Sequence, residues 1–138
     1  MKKQIFLLAI VIATNFSFAQ GLQKGNLFGV HIVTVELQPN VTSEQFKTFF
    51  VKEVLPEYEK SWQGLKGYLV KSVRGEYKDR FAIVWLFESE KARDKYFNKD
   101  GSANNLEKAA FERVKPIEEK LKKYGTYTIK YTDDFVVQ

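Results

Sequence analysis

Two segments of this chain have the composition of β-strands with apolar side chains on both faces. They are residues 27–37, LFGVHIVTVEL, and residues 80–88, RFAIVWLFE. Successive side chains of a strand point to opposite faces of its sheet, so in each segment both faces carry apolar groups. Strands of this kind are typical of a sheet that is covered on both sides. The chain must therefore supply, or recruit, two covering layers.

The order of the predicted elements indicates an α+β domain with one sheet. Strands are predicted at residues 27–37, 68–76, 80–88 and 126–132, and helices between the first and second strands and between the third and fourth. This β-α-β-β-α-β order is that of the ferredoxin-like fold, an antiparallel four-stranded sheet with its helices on one face. Because the other face is left bare, we expect a second copy to cover it and to complete a dimeric α/β barrel.

Proline and glycine residues predict where the helices break and end. Thr42 or the serine after it is the expected N-cap of the first helix, and Pro56 predicts a kink or break in that helix. Pro116 is expected to split the later helix, and Gly125 to end it as the C′ residue. Residues 133–138 are expected to form a short tail after the last strand.

Residues 1–19 have the layout of a cleavable secretory signal peptide. Two lysines form a positive start, residues 5–13 are an unbroken apolar run, and Ala19 completes a small-residue cleavage pattern. The apolar run is far shorter than the roughly 20 residues that cross a bilayer. We therefore expect a secreted or periplasmic protein in which residues 20–138 form one domain, with no membrane span after cleavage.

The composition excludes several classes of site. The chain has no cysteine and one histidine, His31, so disulfide frameworks, thiolate nucleophiles and multi-histidine metal sites cannot form. Without Lys2 and Lys3 the net charge is +3, from 20 basic and 17 acidic residues. These charges are interspersed, as on a solvated surface, and do not form the basic stripe of a nucleic-acid interface. We predict no metal, no cofactor and no nucleic-acid partner.

Short motifs occur at several places within residues 28–132. His-Ile-Val stands at residues 31–33, Glu-Gln-Phe at residues 44–46 after a proline turn, and FAIVWLFES at residues 81–89. Together with the segment 111–131, they resemble the stress-responsive dimeric α/β-barrel family. The resemblance implies the ferredoxin-like fold, a homodimer and a barrel cavity. Related barrel families include cofactor-free monooxygenases and haem-degrading enzymes.

The same resemblance suggests a pair of candidate catalytic residues. A plant cyclase of this family uses a histidine of the first strand as a base, with a tyrosine and a second histidine completing the site. His31 and Tyr96 match the first two, whereas the second histidine would fall within residues 98–102, where this chain has none. His31 is also the only side chain whose ordinary pKa lies near neutrality. The alternative interpretation is that His31 is a packing residue of the core or of an interface.

A set of apolar side chains on the third strand gives the candidate ligand-binding residues. They are Phe81, Ile83, Trp85 and Phe87, which share one face of that strand. We expect this face to be the uncovered one, where it forms the dimer core, surrounds a small apolar or aromatic ligand, or does both. Phe50 on the first helix has the same two interpretations.

Three functions stay open from the sequence. The favoured one is an exported homodimeric barrel domain that binds a small apolar or aromatic molecule. The second is an enzyme, either cyclase-like with His31 and Tyr96 as an acid–base pair or a cofactor-free monooxygenase. The third is a non-catalytic assembly protein, which a barrel filled completely by its own side chains would favour.

Overall fold

The computed structural model describes residues 21–138 and shows one antiparallel sheet with helices packed on it. The strands follow the order β2-β3-β1-β4 across the sheet. The elements in chain order are β1 (Leu27–Leu37), α1 (Ser43–Phe49), α2 (Leu55–Ser61), β2 (Leu65–Lys71), β3 (Phe81–Phe87), α3 (Glu90–Asp94), α4 (Asn105–Leu121) and β4 (Gly125–Val136). This is the predicted ferredoxin-like α+β fold, and β1 has the predicted bounds. The predicted signal peptide lies outside the described residues.

The first helix begins and breaks as its sequence predicts. Thr42 is the N-cap: its hydroxyl accepts a hydrogen bond from the Gln45 amide, and the Gln45 side chain accepts one from the Thr42 amide. A π-helical segment, Phe50–Val54, joins α1 to α2 just before Pro56. At the end of this segment the Leu55 amide donates to the Phe50 carbonyl, five residues back. Because Pro56 has no amide hydrogen, the helix widens here and then starts a new α-helical stretch.

The second strand begins earlier and ends earlier than predicted. β2 starts at Leu65 and runs through Gly67, whereas the prediction placed its start at residue 68. The glycine reflects packing and not a turn, since a Cβ at this position would lie 2.6 Å from Trp85 Cζ3 and 2.8 Å from Leu55 Cδ2. The strand needs its smallest residue where Trp85 and Leu55 pack against it.

Two predictions about the C-terminal third are wrong. Pro116 lies inside the single helix α4, which continues because it buries Val114, Ile117 and Leu121 against the core. Gly125 begins β4 and is not a helix C′ residue, and a Cβ there would lie 2.6 Å from a backbone oxygen of β1.

The predicted tail is also wrong, because β4 continues to Val136. Phe135 stacks on Phe28 of β1 with ring centroids 5.3 Å apart, and Val136 pairs with Leu27. The strand therefore runs four residues past its predicted end at residue 132, and β1 and β4 are still paired there.

The helices cover the face of β3 that we expected to be bare. Trp85 lies 5.1 Å, ring to ring, from Tyr58 of α2, and Ile83 and Phe87 belong to the same buried core as the helix residues Phe50 and Val54. Since both faces of β3 are apolar, its sequence alone could not distinguish the inner face from the outer one. The prediction that Phe81, Ile83, Trp85 and Phe87 face a partner copy is therefore wrong.

The open face of the sheet carries the alternate residues of each strand. Tyr68, Val84 and Val30 form one row across β2, β3 and β1. Tyr68 and Val70 are 48% and 41% exposed, and Phe135 on β4 is 46% exposed. An open apolar face thus exists as expected, but on the side opposite Trp85. Within residues 21–138, no helix combines the length and apolar character needed to cross a membrane.

Candidate functional site

A cavity of about 350 Å³ lies between the sheet and the helices. Its walls come from the inner face of β1, β3 and β4, from α2 and α4, and from residues in and after α3. Most of the lining side chains are aromatic or aliphatic, and both tryptophans of the chain, Trp62 and Trp85, are among them. A mainly apolar hollow with a few polar groups is the usual form of a small-molecule site.

Stacked aromatic rings form one wall of the cavity. Tyr58 stacks on Trp62 with ring centroids 5.2 Å apart and an interplanar angle of 9°, and it contacts Trp85 at 5.1 Å on another side. Offset and tilted ring pairs at these separations attract each other beyond the burial of their area. The wall is therefore held by its own ring contacts, and a flat ligand would meet a surface that is already in place.

The Glu118 carboxylate fixes two tyrosines of this wall from behind. Tyr58 and Tyr127 donate hydrogen bonds of 2.8 and 2.9 Å to the same oxygen, Glu118 Oε1. Burial, helped by the charge of Glu118, raises the pKa of both tyrosines above the usual value of 10. Both hydroxyls consequently remain protonated donors and hold their rings in a fixed orientation.

His31 lies on the sheet wall, where the pairing of β1 with β4 is irregular. The register shifts between Gly29 and His31, so that Gly29 pairs with Asp134 and His31 pairs with Tyr131. The His31 and Tyr131 rings meet edge to face at 5.3 Å. Among the described residues, His31 Nδ1 is buried without a hydrogen-bond partner. Burial lowers the pKa of His31 below 6.5, and the opposing effect of Asp134 is smaller, so the imidazole is neutral at pH 7.

Because Gly29 has no side chain, the Asp134 carboxylate and the Nε2 atom of His31 lie close to its Cα. A Cβ on Gly29 would lie 2.6 Å from Asp134 Oδ1 and 3.6 Å from His31 Nε2. Arg93 Nη2 lies 3.9 Å from Asp134 Oδ2, and the Arg93 guanidinium sits 4.2 Å above the Phe97 ring. We call His31, Arg93, Tyr131 and Asp134 the polar corner of the cavity, and Glu107 is a further charged residue of the lining.

The two candidate catalytic residues do not meet in this cavity. His31 is part of its wall, but Tyr96 is not among the lining residues. Tyr96 is buried, and its hydroxyl accepts a 2.7 Å hydrogen bond from the Gln63 amide just before β2. This bond gives Tyr96 a structural role at the end of α2, beside Trp62.

The candidate ligand-binding residues divide into two groups. Ile83, Trp85 and Phe87 line the cavity, although from the helix-covered side and not from a dimer interface. Phe50 lies in the core behind the wall, where its ring meets Tyr127 edge to face at 5.7 Å. Phe81, at the start of β3, lies outside the cavity lining.

Sequence reasoning missed several residues of the site. The alternation of Tyr127, Ile129 and Tyr131 along the last strand was a signal for the two tyrosines. Asp134 had no such signal, because the register shift decides which of the adjacent aspartates reaches the cavity. Among residues 21–138 there is no group of three or more His, Cys, Asp or Glu side chains that could hold a metal ion.

Comparison with known proteins finds similar folds only. No family model matches the chain, and no curated protein matches it. The cofactor-independent oxygenase SnoaB from Streptomyces nogalater has 13% sequence identity, covers 79% of this chain and 92% of its own, and gives a TM-score of 0.43. A NIPSNAP-like domain protein from Burkholderia xenovorans has 12% identity, with 79% and 84% covered and a TM-score of 0.43. A dimeric ferredoxin-like protein of unknown function from Bacteroides fragilis has 12% identity, with 82% and 97% covered and a TM-score of 0.37.

Proposed function

We propose that this protein is an exported homodimeric α/β-barrel domain that binds a small apolar or aromatic molecule in the cavity between its sheet and its helices. The observation that carries the proposal is the cavity of about 350 Å³, whose walls include both tryptophans of the chain. Its lining residues Phe111, Ile129 and Tyr131 are 45%, 52% and 53% exposed, so the cavity is open to solvent and a small molecule can enter it. The export part of the proposal rests on the signal-peptide layout of residues 1–19.

Two phenylalanines of β3 provide a matched test of ligand binding. Phe87 lines the cavity and Phe81 does not, although both lie on the same face of one strand. We expect Phe87→Leu to weaken binding of an aromatic probe such as naphthalene by on the order of tenfold, and Phe81→Leu to leave it nearly unchanged. Isothermal titration calorimetry, with quenching of Trp62 and Trp85 fluorescence as a second signal, measures both affinities. Equal effects of the two substitutions, or no binding by the unmodified protein, would overturn the proposal.

The open sheet face supports the homodimer. Its central row of Tyr68, Val84 and Val30 is apolar, and a contiguous apolar face of this kind gains free energy when a second copy removes it from water. Val84→Lys would place a charge at the centre of the row and is expected to give monomers in size-exclusion chromatography with light scattering. Val73→Lys, at a residue 73% exposed outside the strands, is the control and should leave the dimer intact. A monomeric wild-type protein would refute the dimer and leave the cavity proposal standing.

A second candidate function, acid–base catalysis, is favoured by one observation. The only imidazole of the chain lies on the cavity wall and is neutral at pH 7, so it can accept a proton there. Tyr96 lies outside the cavity, and Tyr131 stands next to His31 in its place. Exchange of the acidic methylene hydrogens of anthrone for deuterium, followed by NMR, tests this function. His31→Gln should abolish the exchange and Tyr96→Phe should not. Oxygen uptake in the same sample would indicate the monooxygenase alternative.

A further inference from the structure

The polar corner places two different groups next to one point, the position that a side chain of Gly29 would occupy. Asp134 Oδ1 and His31 Nε2 lie 2.6 and 3.6 Å from the point that a Cβ of Gly29 would occupy. A carboxylate oxygen only accepts hydrogen bonds, whereas an imidazole nitrogen that carries the ring's proton donates one. The Asp134 carboxylate also interacts with the Tyr131 hydroxyl and with Arg93, and its oxygens have further lone pairs that can accept a hydrogen bond from a ligand. A single ligand atom that can both donate and accept can therefore bind to the two groups together.

We propose that the polar corner recognises a hydroxyl group, so that the cavity takes an uncharged aromatic ring bearing a hydroxyl and rejects the same ring bearing a carboxylate. This inference rests on the proposed function, because it names the class of ligand for the same cavity. The hydroxyl hydrogen is donated to Asp134, and the hydroxyl oxygen accepts a hydrogen bond from His31. A hydroxyl has both capacities, and an ionised carboxylate lacks the first.

The two protein atoms lie close to each other. Their distances to the Gly29 point place them between 1.0 and 6.2 Å apart, the difference and the sum of 2.6 and 3.6 Å. A hydroxyl oxygen that makes two hydrogen bonds of about 2.8 Å spans up to about 5.6 Å between its partners. The absence of a side chain on Gly29 is what allows the carboxylate to lie here, and the register shift in β1–β4 pairing is what brings Asp134 to this position.

The charges of the lining oppose a ligand carboxylate. Asp134 and Glu107 are acidic, and Arg93 is the basic residue among the lining side chains. Arg93 is also divided between two partners, since its guanidinium lies 3.9 Å from Asp134 and 3.4 Å from Asp94. A ligand carboxylate would therefore meet an excess of negative charge among mostly apolar lining side chains. An uncharged hydroxyl meets neither penalty.

Three naphthalene derivatives test the inference by isothermal titration calorimetry at pH 7. These are 2-naphthol, 2-methoxynaphthalene, which cannot donate a hydrogen bond, and 2-naphthoate, which is ionised. The wild-type protein is expected to bind 2-naphthol at least tenfold more tightly than either of the others. Asp134→Asn keeps the side-chain shape and removes the charge, and it should reduce the preference over 2-naphthoate to about threefold or less. Asp133→Asn is the matched control, because Asp133 does not line the cavity, and it should keep the full preference.

The outcomes separate this inference from the function on which it rests. If none of the three compounds binds, the proposed ligand-binding function fails. If they bind with similar affinity, or if Asp134→Asn keeps the wild-type preference, hydroxyl recognition is wrong and the cavity remains a binding site. Gly29→Ala gives a second test with no change of charge, because its Cβ would displace the Asp134 carboxylate. It should weaken 2-naphthol binding by at least fivefold while leaving 2-methoxynaphthalene binding within twofold. Equal weakening of both compounds would overturn the assignment.

Discussion

Substitution of Gly67 by alanine tests whether Trp85 packs under the helices, because this glycine is where the strand, the indole ring and α2 come closest. An added Cβ would lie 2.6 Å from Trp85 Cζ3, 3.2 Å from Trp85 Cε3 and 2.8 Å from Leu55 Cδ2. Unstrained carbon contacts are about 3.5 Å or longer. The indole must therefore move by about 1 Å, and Leu55, which is 4% exposed, has little space in which to move.

The expected loss of stability follows from two opposing effects. Overpacking of a well-packed core costs about 1–3 kcal/mol. Alanine also restricts the unfolded chain more than glycine does, which stabilises the folded state by about 0.4–1 kcal/mol. The free energy of unfolding should thus fall by about 1.3 kcal/mol, the difference between the midpoints of the two ranges. Urea titration followed by far-UV circular dichroism measures this change, and the fluorescence of the native protein reports the shift of Trp85.

A second substitution separates the steric effect from a general loss of strand stability. Trp85→Phe removes the part of the indole that holds Cε3 and Cζ3, so Gly67→Ala should cost much less in a Trp85→Phe background. Gly21→Ala is the control, because a Cβ there meets no atom within 4 Å. If Gly67→Ala is as stable as the wild type, or costs the same in both backgrounds, the placement of Trp85 on the helix side of the sheet is incorrect.

Two further predictions concern the titratable and hydrogen-bonded groups of the site. Because burial lowers the pKa of the folded-state His31 below 6.5, its contribution to stability is complete above pH 6.5 and is lost as the pH falls through the folded-state value. The unfolding free energy of the wild-type protein should therefore decrease from pH 7.5 to pH 5.5. The decrease should be smaller in His31→Gln, which removes the only histidine. Identical pH profiles of the wild type and this variant would contradict the prediction. Glu118→Ala should lower the unfolding free energy by about 1–3 kcal/mol, because it leaves the buried hydroxyls of Tyr58 and Tyr127 without their acceptor. Glu119→Ala on the same helix is the control. It removes an exposed ion pair with Lys122 and should change the unfolding free energy only slightly. Equal losses of unfolding free energy in the two variants would show that the tyrosines do not depend on Glu118.

The order of elements was predictable because it depends on patterns that are local in the sequence. The apolar run of β1, the capping box at Thr42 and the helix break at Pro56 all follow from residues within one or two turns of each other. Pro116 shows the limit of such rules. Its missing amide costs one hydrogen bond, but the buried face formed by Val114, Ile117 and Leu121 keeps α4 continuous. Tertiary packing thus outweighs a local signal that was sufficient at Pro56.

The site was less predictable because it depends on which face of the sheet the helices cover. Alternation places Trp85 and Phe87 on one face of β3, but the other face is apolar too, and only the contact with Tyr58 of α2 decides between them. Asp134 depends on a finer detail. Strict alternation from Tyr131 would direct Asp133 to the inner face, and the register shift opposite Gly29 brings Asp134 there instead. A shift of one residue exchanges the two faces of a strand. The pairing of β1 with β4 therefore decides that Asp134, the residue we assign to hydroxyl recognition, faces the cavity. A variant that restores regular pairing should lose hydroxyl recognition and keep the apolar cavity.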